Sequence, residues 1–347
     1  MRTLFDRARL GTLSLKNRCI RAATWERMAR AGGHLSPALV RLYAELAEGG
    51  VSLIETGYAS IFPWEQPNPG MMGMHDDRLV EEYAVLSGVV HDGGSRLAMQ
   101  LAYGGSQTRY LPSSRLIWGP SAVRHPASGV VPTPMSIRDI GDLAEGFAAA
   151  AARSKDAGCD GVMVHAAHGY LLGQFLSPLF NRRTDDYGGS LPNRARIILD
   201  VYGAVREAVG RSYPVLIKIN CSDFVDGGAT FADCMYVCRE LDKRGIDAVE
   251  VSGGGVPPGA GHSYYRDYGA CLSCLLSAPV ILVGGNRDPV ELQHILEDTK
   301  LSFFSFSRPL LREPGLIARW ERGDRSPAAC TSCGECFHDE GNYCPYR

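Results

Sequence analysis

No stretch of this 347-residue chain reaches the roughly 20 consecutive apolar residues that a membrane-spanning helix needs. The opening residues, MRTLFDRARL, contain no apolar signal-peptide core, so a cytoplasmic location is expected. Basic runs are missing as well. The 36 Lys and Arg residues stand against 38 Asp and Glu, a formal charge of -2, so nothing points to a surface made to neutralise a phosphate backbone. Membrane and nucleic acid are therefore set aside as partners. The eleven cysteines lack the spacing of a disulfide framework, which leaves reduced thiols or metal ligands.

What is present is an alternation. Eight apolar runs read as strands: CIRAAT (19–24), VSLIET (51–56), RLAMQL (96–101), GVMVH (161–165), VLIKI (215–219), DAVEV (247–251), PVILV (279–283) and LSFFSF (301–306). Between them lie helix-length segments such as SPALVRLYAELAEGG, IRDIGDLAEGFAAAAARSKDAG and NRARIILDVYGAVREAVG, with apolar residues at helical spacing. Strand–helix alternation implies a parallel sheet. Eight units predict a (β/α)8 TIM barrel, with a short N-terminal lid. A doubly wound sheet would normally show a glycine-rich dinucleotide loop after its first strand, and none follows CIRAAT. The expected organisation is a barrel over residues 1–323 and a Cys-rich tail over 324–347. The Pro- and Gly-rich loop from Tyr103 to Met135 is expected to cover the active site.

Barrel enzymes place their chemistry where strands end and βα loops begin. The residues there are Thr24, Gly57, Gln100, the group His165, His168 and Tyr170, then Lys218, Ser252 with Gly253, Gly284 with Gly285, and Ser307 with Arg308. Glycines after the seventh strand, with a serine and an arginine after the eighth, supply backbone N–H groups and a guanidinium, a cradle for a phosphate. Turn-forming glycines alone would give the same letters; the arginine beside them favours a phosphorylated ligand.

The segments LFDRARLGTLSLKNR, HAAHGYLLGQFLSPLFNRRTDDYGGSLPNRAR, ILVGGNRDP and FSRPLLREPGLIARW resemble the old yellow enzyme family of FMN-dependent ene-reductases. The chain is most similar to the branch containing 2,4-dienoyl-CoA reductase and trimethylamine dehydrogenase. The resemblance implies hydride transfer from reduced FMN to the β-carbon of an α,β-unsaturated carbonyl compound. His165 and His168 match the pair that hydrogen-bonds the carbonyl oxygen, and Tyr170 matches the proton donor to the α-carbon. Ala22, Ala23, Thr24 and Gly57 match positions lining the flavin, Gln100 the residue at its pyrimidine edge, and Lys218 a cation beside N1 and O2. Gly253, Gly284, Gly285, Ser307 and Arg308 complete the implied cofactor site.

The chain also departs from that pattern. Lys218 stands where many relatives have arginine, keeping the charge but not the bidentate fork; a structural ion pair for this buried lysine is a second reading. QLAYGGSQT replaces a frequent His-Ala-Gly-Arg stretch, bringing Tyr103 to the pocket's neighbourhood. Trp25, Glu26, Trp64, Tyr264 and Tyr265 either shape the substrate site or pack its cover. In the tail, Cys330, Cys333, Cys336 and Cys344 form C-x2-C-x2-C-x7-C-P, where the branch carries a [4Fe–4S] cluster with wider spacing. A cluster and a zinc ion both remain open. Two function classes follow: an ene-reductase driven by NAD(P)H or a redox partner protein, and a flavin and iron–sulfur electron-transfer or amine dehydrogenase-type flavoprotein. A homo-oligomer is compatible with either.

Overall fold

Each of the eight apolar runs becomes a strand of one closed barrel. The structure, a computed structural model, describes residues 2–110, 115–257 and 259–347. Strands β1 (Cys19–Arg21), β2 (Leu53–Glu55), β3 (Arg96–Ala102), β4 (Gly161–Ala166), β5 (Val215–Asn220), β6 (Ala248–Ser252), β7 (Val280–Leu282) and β8 (Phe303–Phe306) pair in parallel in that order, and β8 returns to β1. Nearly every strand residue is buried on both faces, which is why the runs are continuously apolar and do not alternate.

The outer ring consists of α1 (Pro37–Glu48), α2 (Val80–Asp92), α3 (Ile137–Asp156), α4 (Leu191–Val209), α5 (Phe231–Lys243), α6 (Arg266–Leu275), α7 (Pro289–Asp298) and α8 (Leu316–Glu321). Local chemistry fixes their starts. Ser136 with Asp139 and Thr230 with Asp233 form reciprocal capping boxes at α3 and α5, and Asp288 caps α7 directly before Pro289. On α4, Ala195, Ile198, Val201, Tyr202, Val205 and Val209 make the buried stripe expected from helical periodicity. Gly210, at φ 81°, then ends the helix in a conformation that favours glycine. Among the described residues no helix is long and apolar enough to cross a membrane.

Inside the barrel the side chains lie in layers. The lower layer is apolar: Ile20, Leu53, Ala98, Met163, Leu216, Ala248, Ile281 and Phe303 pack together with Leu10 and Leu15. Those two leucines belong to an antiparallel hairpin, Ala8–Leu10 with Leu13–Leu15, so the N-terminal segment closes the barrel at the strands' N-terminal ends. The expected lid thus covers the end opposite the candidate site. Two residues further along six of the eight strands the inward positions turn polar: Glu55, Gln100, His165, Lys218, Glu250 and Ser305, all buried. The cross-strand register sets His165 beside Lys218 and Lys218 beside Glu250.

The Tyr103–Met135 loop carries a short parallel pair, Trp118–Gly119 with Thr133–Pro134. Residues 111–114 of that loop lie outside the described residues. Because Leu10 is fully buried in the apolar layer, Leu10→Ala is expected to destabilise the chain by about 2–5 kcal/mol, the usual cost of emptying a buried leucine site. A urea midpoint unchanged by that substitution would show that the hairpin is not part of the barrel core.

Candidate active site

The polar layer is held by one cation between two acids. Lys218 Nζ lies 2.5 Å from Glu250 Oε2 and 3.5 Å from Glu55 Oε2, with all three side chains buried. Ser305 Oγ donates to Glu250 Oε1, and the backbone N–H of Ala23 donates to Glu55 Oε2 at 3.0 Å. The two carboxylates keep Lys218 protonated in spite of its burial, while burial and the neighbouring Glu250 push Glu55 upward. The ion-pair reading of Lys218 is therefore realised, and it leaves the ammonium fixed in the floor of the site. Gln100, in the same layer, directs Nε2 to the Met163 sulfur at 3.1 Å.

Above this floor, β4 ends in the three residues that sequence singled out, and the structure brings them together. The His165 and His168 rings are 5.1 Å apart between centroids, and Tyr170 meets His165 edge-on at 4.9 Å. His168 adopts the left-handed conformation at φ 56°, held by its backbone N–H on Asn220 Oδ1 at 3.0 Å and by Nε2 against Ser252 Oγ at 2.7 Å. Strain of this kind persists only where the surroundings enforce it. His165 is buried and its Nδ1 has no hydrogen-bond partner among the described residues. Burial, His168 and Lys218 depress its basicity far below the usual histidine range. His168 is exposed at the barrel mouth, yet the protein around it and the Lys218 charge lower it too. At neutral pH both imidazoles are uncharged.

Tyr170 has partners that the sequence did not reveal. Asn68 Nδ2 donates to its hydroxyl oxygen at 3.1 Å and to that of Tyr58 at 2.7 Å, and the Tyr58 and Tyr170 rings meet edge-on at 5.6 Å. Burial raises the Tyr170 hydroxyl well above the usual tyrosine range, while the hydrogen bonds from Tyr58 and Asn68 pull it back down. The oxygen accepts from Asn68, a bond that leaves the hydroxyl's own proton for another group.

At the β7–β8 corner, Gly284, Gly285, Arg287, Ser307, Arg308 and Ser332 line a cavity of about 70 Å³. Arg287 and Arg308 have no acidic partner among the described residues. Two unneutralised guanidinium groups on one small cavity suit a phosphate. Gly284 and Gly285 have φ of 94° and 76°, and a Cβ at either would strike the ring of Tyr265 or Tyr264, 2.7 Å and 2.6 Å away. Both tyrosines thus pack the turn; Tyr265 lies likewise 2.5 Å from where a Cβ of Gly253 would sit. Thr24 turns its hydroxyl to the same corner, 2.8 Å from Ser307 Oγ, and also receives a hydrogen bond from Arg21. Ala22 and Ala23 follow β1 beside it, Ala23 engaged with Glu55.

The first βα loop hides a second buried charge network. Arg21 donates to the Ala22 carbonyl at 2.7 Å and lies 3.8 Å from Glu26 Oε1, which also accepts from the Tyr43 hydroxyl at 3.3 Å. Tyr43 in turn accepts from the Gly57 N–H at 2.8 Å, and a Cβ at Gly57 would collide with Glu26 Oε2. Glu26 therefore supports the loop from beneath and does not line the pocket. Tyr103 stacks on Trp118 of the Tyr103–Met135 loop at 5.6 Å, Trp25 Nε1 is tied to the Pro69 carbonyl at 2.9 Å, and Trp64 stacks on Phe62 at 4.6 Å.

The tail folds back over this end of the barrel. Cys336 and Cys344 are buried against Leu311, Cys330 is buried, and Cys333 is exposed. Burial and the three neighbouring thiols raise Cys336, while Arg308 opposes them. The four sulfurs thus gather in one region, but among the described residues no group of three or more His, Cys, Asp or Glu side chains is arranged to hold a metal ion.

A parallel barrel with a cation in its floor, uncharged imidazoles at its mouth and a phosphate-sized cavity at β7–β8 has the features of a flavin-binding oxidoreductase. Residues 3–326 match the NADH:flavin oxidoreductase / NADH oxidase family, and the chain belongs to it. It is 34% identical to the metal reductase of Desulforamulus reducens, covering 91% of this chain and 48% of that protein. It is 30% identical to the NADH oxidase of Thermoanaerobacter brockii, covering 95% and 52%. The chain thus spans about half the length of these two relatives. With the NADPH dehydrogenase of Bacillus licheniformis the identity is 30% over 90% of this chain and 92% of that one. Among solved structures, morphinone reductase superposes with a TM-score of 0.82 at 27% identity, covering 95% of this chain and 92% of that one. A complex of 2-naphthoyl-CoA reductase shares the fold at a TM-score of 0.89 and 21% identity, covering 94% and 53%.

Glu26 gives this end of the barrel a pH signature. Burial pushes its carboxyl to about 7, against the pull of Arg21, so the folded chain holds a proton that the unfolded chain releases near the ordinary value of 4.5. The resulting stability is complete below about 4.5 and is lost as pH rises through about 7. Glu26→Gln should remove this component: the difference in urea midpoint between pH 5 and pH 8 should be smaller in the variant than in the unaltered chain. An equal difference in both would place the Glu26 carboxyl in water.

Proposed function

We propose that the chain is an FMN-dependent ene-reductase that reduces α,β-unsaturated carbonyl compounds with electrons from NAD(P)H. The observation that carries this reading is the unpartnered Nδ1 of buried His165, set beside His168 and Tyr170 where β4 opens to the mouth. The residues present suit the cofactor: the cavity with Arg287 and Arg308 for its phosphate, and Lys218, Gln100 and the β1 end, Ala22, Ala23 and Thr24, for its ring system. FMN, when bound and reduced, supplies a hydride to the β-carbon of the alkene.

The remaining work belongs to the chain. His165 and His168 stay uncharged because burial and Lys218 oppose protonation, so each offers an N–H without carrying a charge into the site. Negative charge gathering on a carbonyl oxygen there meets donors already in place, the condition under which such donors lower a barrier. Lys218 lends its field from below while Glu250 keeps it from moving toward the substrate. Tyr170 passes its proton to the α-carbon, and the charge left on its oxygen is received by Asn68 and by Tyr58. An amine-oxidising reaction has no use for a proton donor to carbon, and this arrangement favours the alkene reading over it.

Purified protein should carry one non-covalent FMN per chain. In rapid-mixing experiments Tyr170→Phe should leave reduction of the flavin by NAD(P)H nearly unchanged and slow reoxidation by an enone by roughly 10² to 10⁴, the range for loss of a general acid. Asn68→Ala should act in the same direction with a smaller effect. Equal damage to both half-reactions in Tyr170→Phe would mean that the tyrosine organises the pocket and donates no proton.

A further inference from the structure

The phosphate-sized cavity has a wall that the barrel does not make. Ser332, from the CTSC segment of the tail, lines it together with Gly284, Gly285, Arg287, Ser307 and Arg308. The serine is held there: Arg287 Nη2 donates to Ser332 Oγ at 2.5 Å, and Ser332 takes the left-handed conformation at φ 59°. Left-handed backbone at a residue with a side chain is costly and persists only where the surroundings impose it.

Those surroundings are a set of ties between tail and barrel mouth. The Ala328 N–H donates to the Arg287 carbonyl at 2.7 Å. Further along, buried Asn342 bonds the first βα loop twice, Nδ2 to the Trp25 carbonyl at 2.8 Å and its N–H to the Glu26 carbonyl at 2.6 Å. Arg27 reaches back to the His338 carbonyl and to Asp339, each at 3.0 Å. The tail is therefore strapped from the β7 loop to the β1 loop, and its serine hydroxyl stands in the cavity between the anchors.

The cavity's charge decides what that hydroxyl is for. Arg287 and Arg308 are not neutralised by any acid among the described residues, and the Ser307 hydroxyl is already engaged by Thr24. A phosphate has more acceptor sites than two guanidinium groups fill, and a free hydroxyl on the cavity wall is a natural further donor. We propose that Ser332 is a ligand to the FMN phosphate, delivered by the tail, and that the tail thereby acts as a clasp on the cofactor. In this arrangement Arg287 serves both partners, holding Ser332 in place and facing the same anion. The inference rests on the reading of this cavity as the FMN phosphate site.

Flavin titration of the cofactor-free protein, followed by quenching of flavin fluorescence, tests it without reference to turnover. FMN and riboflavin are compared, since riboflavin lacks only the phosphate. Ser332→Ala should raise the Kd for FMN roughly tenfold, as loss of a hydrogen bond to a charged group does, and leave riboflavin unchanged. Ser332→Asp, which sets a carboxylate against the phosphate, should weaken FMN further while still sparing riboflavin. Asn342→Ala, which loosens the far anchor, should speed FMN release in the same phosphate-dependent way. Equal losses for both flavins, or no loss for either, would overturn the clasp. Failure of the unaltered chain to bind either flavin would instead overturn the cofactor reading itself.

Discussion

A single ammonium group in the barrel floor organises the candidate site. Lys218 is buried at 2% exposure between Glu55 and Glu250, and such a charge is tolerable only because its partners lie within 3.5 Å. Its position follows from register. Inward-facing places alternate along β5, and two residues past Leu216 in the apolar layer the next inward place is 218, flanked in register by His165 and Glu250. The same charge then sets the state of the groups above it. Burial lowers both histidines and this charge adds to it, while burial and the neighbouring Glu250 raise Glu55. Replacing the lysine by a neutral residue would leave two buried acids facing each other and release the histidines from its field.

The layer order gives the barrel a division of labour. The apolar layer, sealed by Leu10 and Leu15, supplies burial, and the polar layer just above it supplies fixed charge in a region with little water. Catalytic groups built on such a platform need not reorganise when charge develops, because strand ends hold the side chains that meet it. The buried unsatisfied atoms on this side of the barrel include His165 Nδ1 and Glu55 Oε1, and leaving such atoms unpaired gives up stability at the place the proposed function assigns to a ligand.

Much of this was legible in the sequence because it is local. Each strand is a short apolar run, each strand end is marked by the next polar or glycine residue, and His165, His168 and Tyr170 lie within one turn of chain. The groups that sequence missed are paired across the barrel. Asn68 holds the hydroxyl of Tyr170 from 102 residues away, and Ser305 bonds Glu250 from 55 away. A single acid in an apolar run, as Glu55 is in VSLIET, could have marked itself as the partner that buried Lys218 requires. Arg21 in CIRAAT offered the same signal. Nothing in Asn68 or Tyr58 did: both sit in a loop rich in turn formers, where a polar residue needs no special reason. In the tail, cysteine spacing shows which residues can share a ligand, while only the structure shows that three of these thiols are buried and that the segment is tied down through Asn342 and Arg287.

The pairing of β8 with β1 carries a cost in time. These strands join the two ends of the barrel, and Arg18 at the foot of β1 bonds the Ser302 carbonyl across 284 residues of chain. Until β8 is available, the sheet is an open one with two unpaired edges, and β1, which precedes every other barrel strand, holds one of them. Closure must wait for the last strand, so folding has a high contact order and a late, entropically expensive step. During that wait the CIRAAT edge is a template for the wrong partner. The hairpin directly ahead of β1 in the chain places Leu10 and Leu15 in the same apolar layer as Ile20, so the apolar end of that strand has a local partner that does not depend on β8.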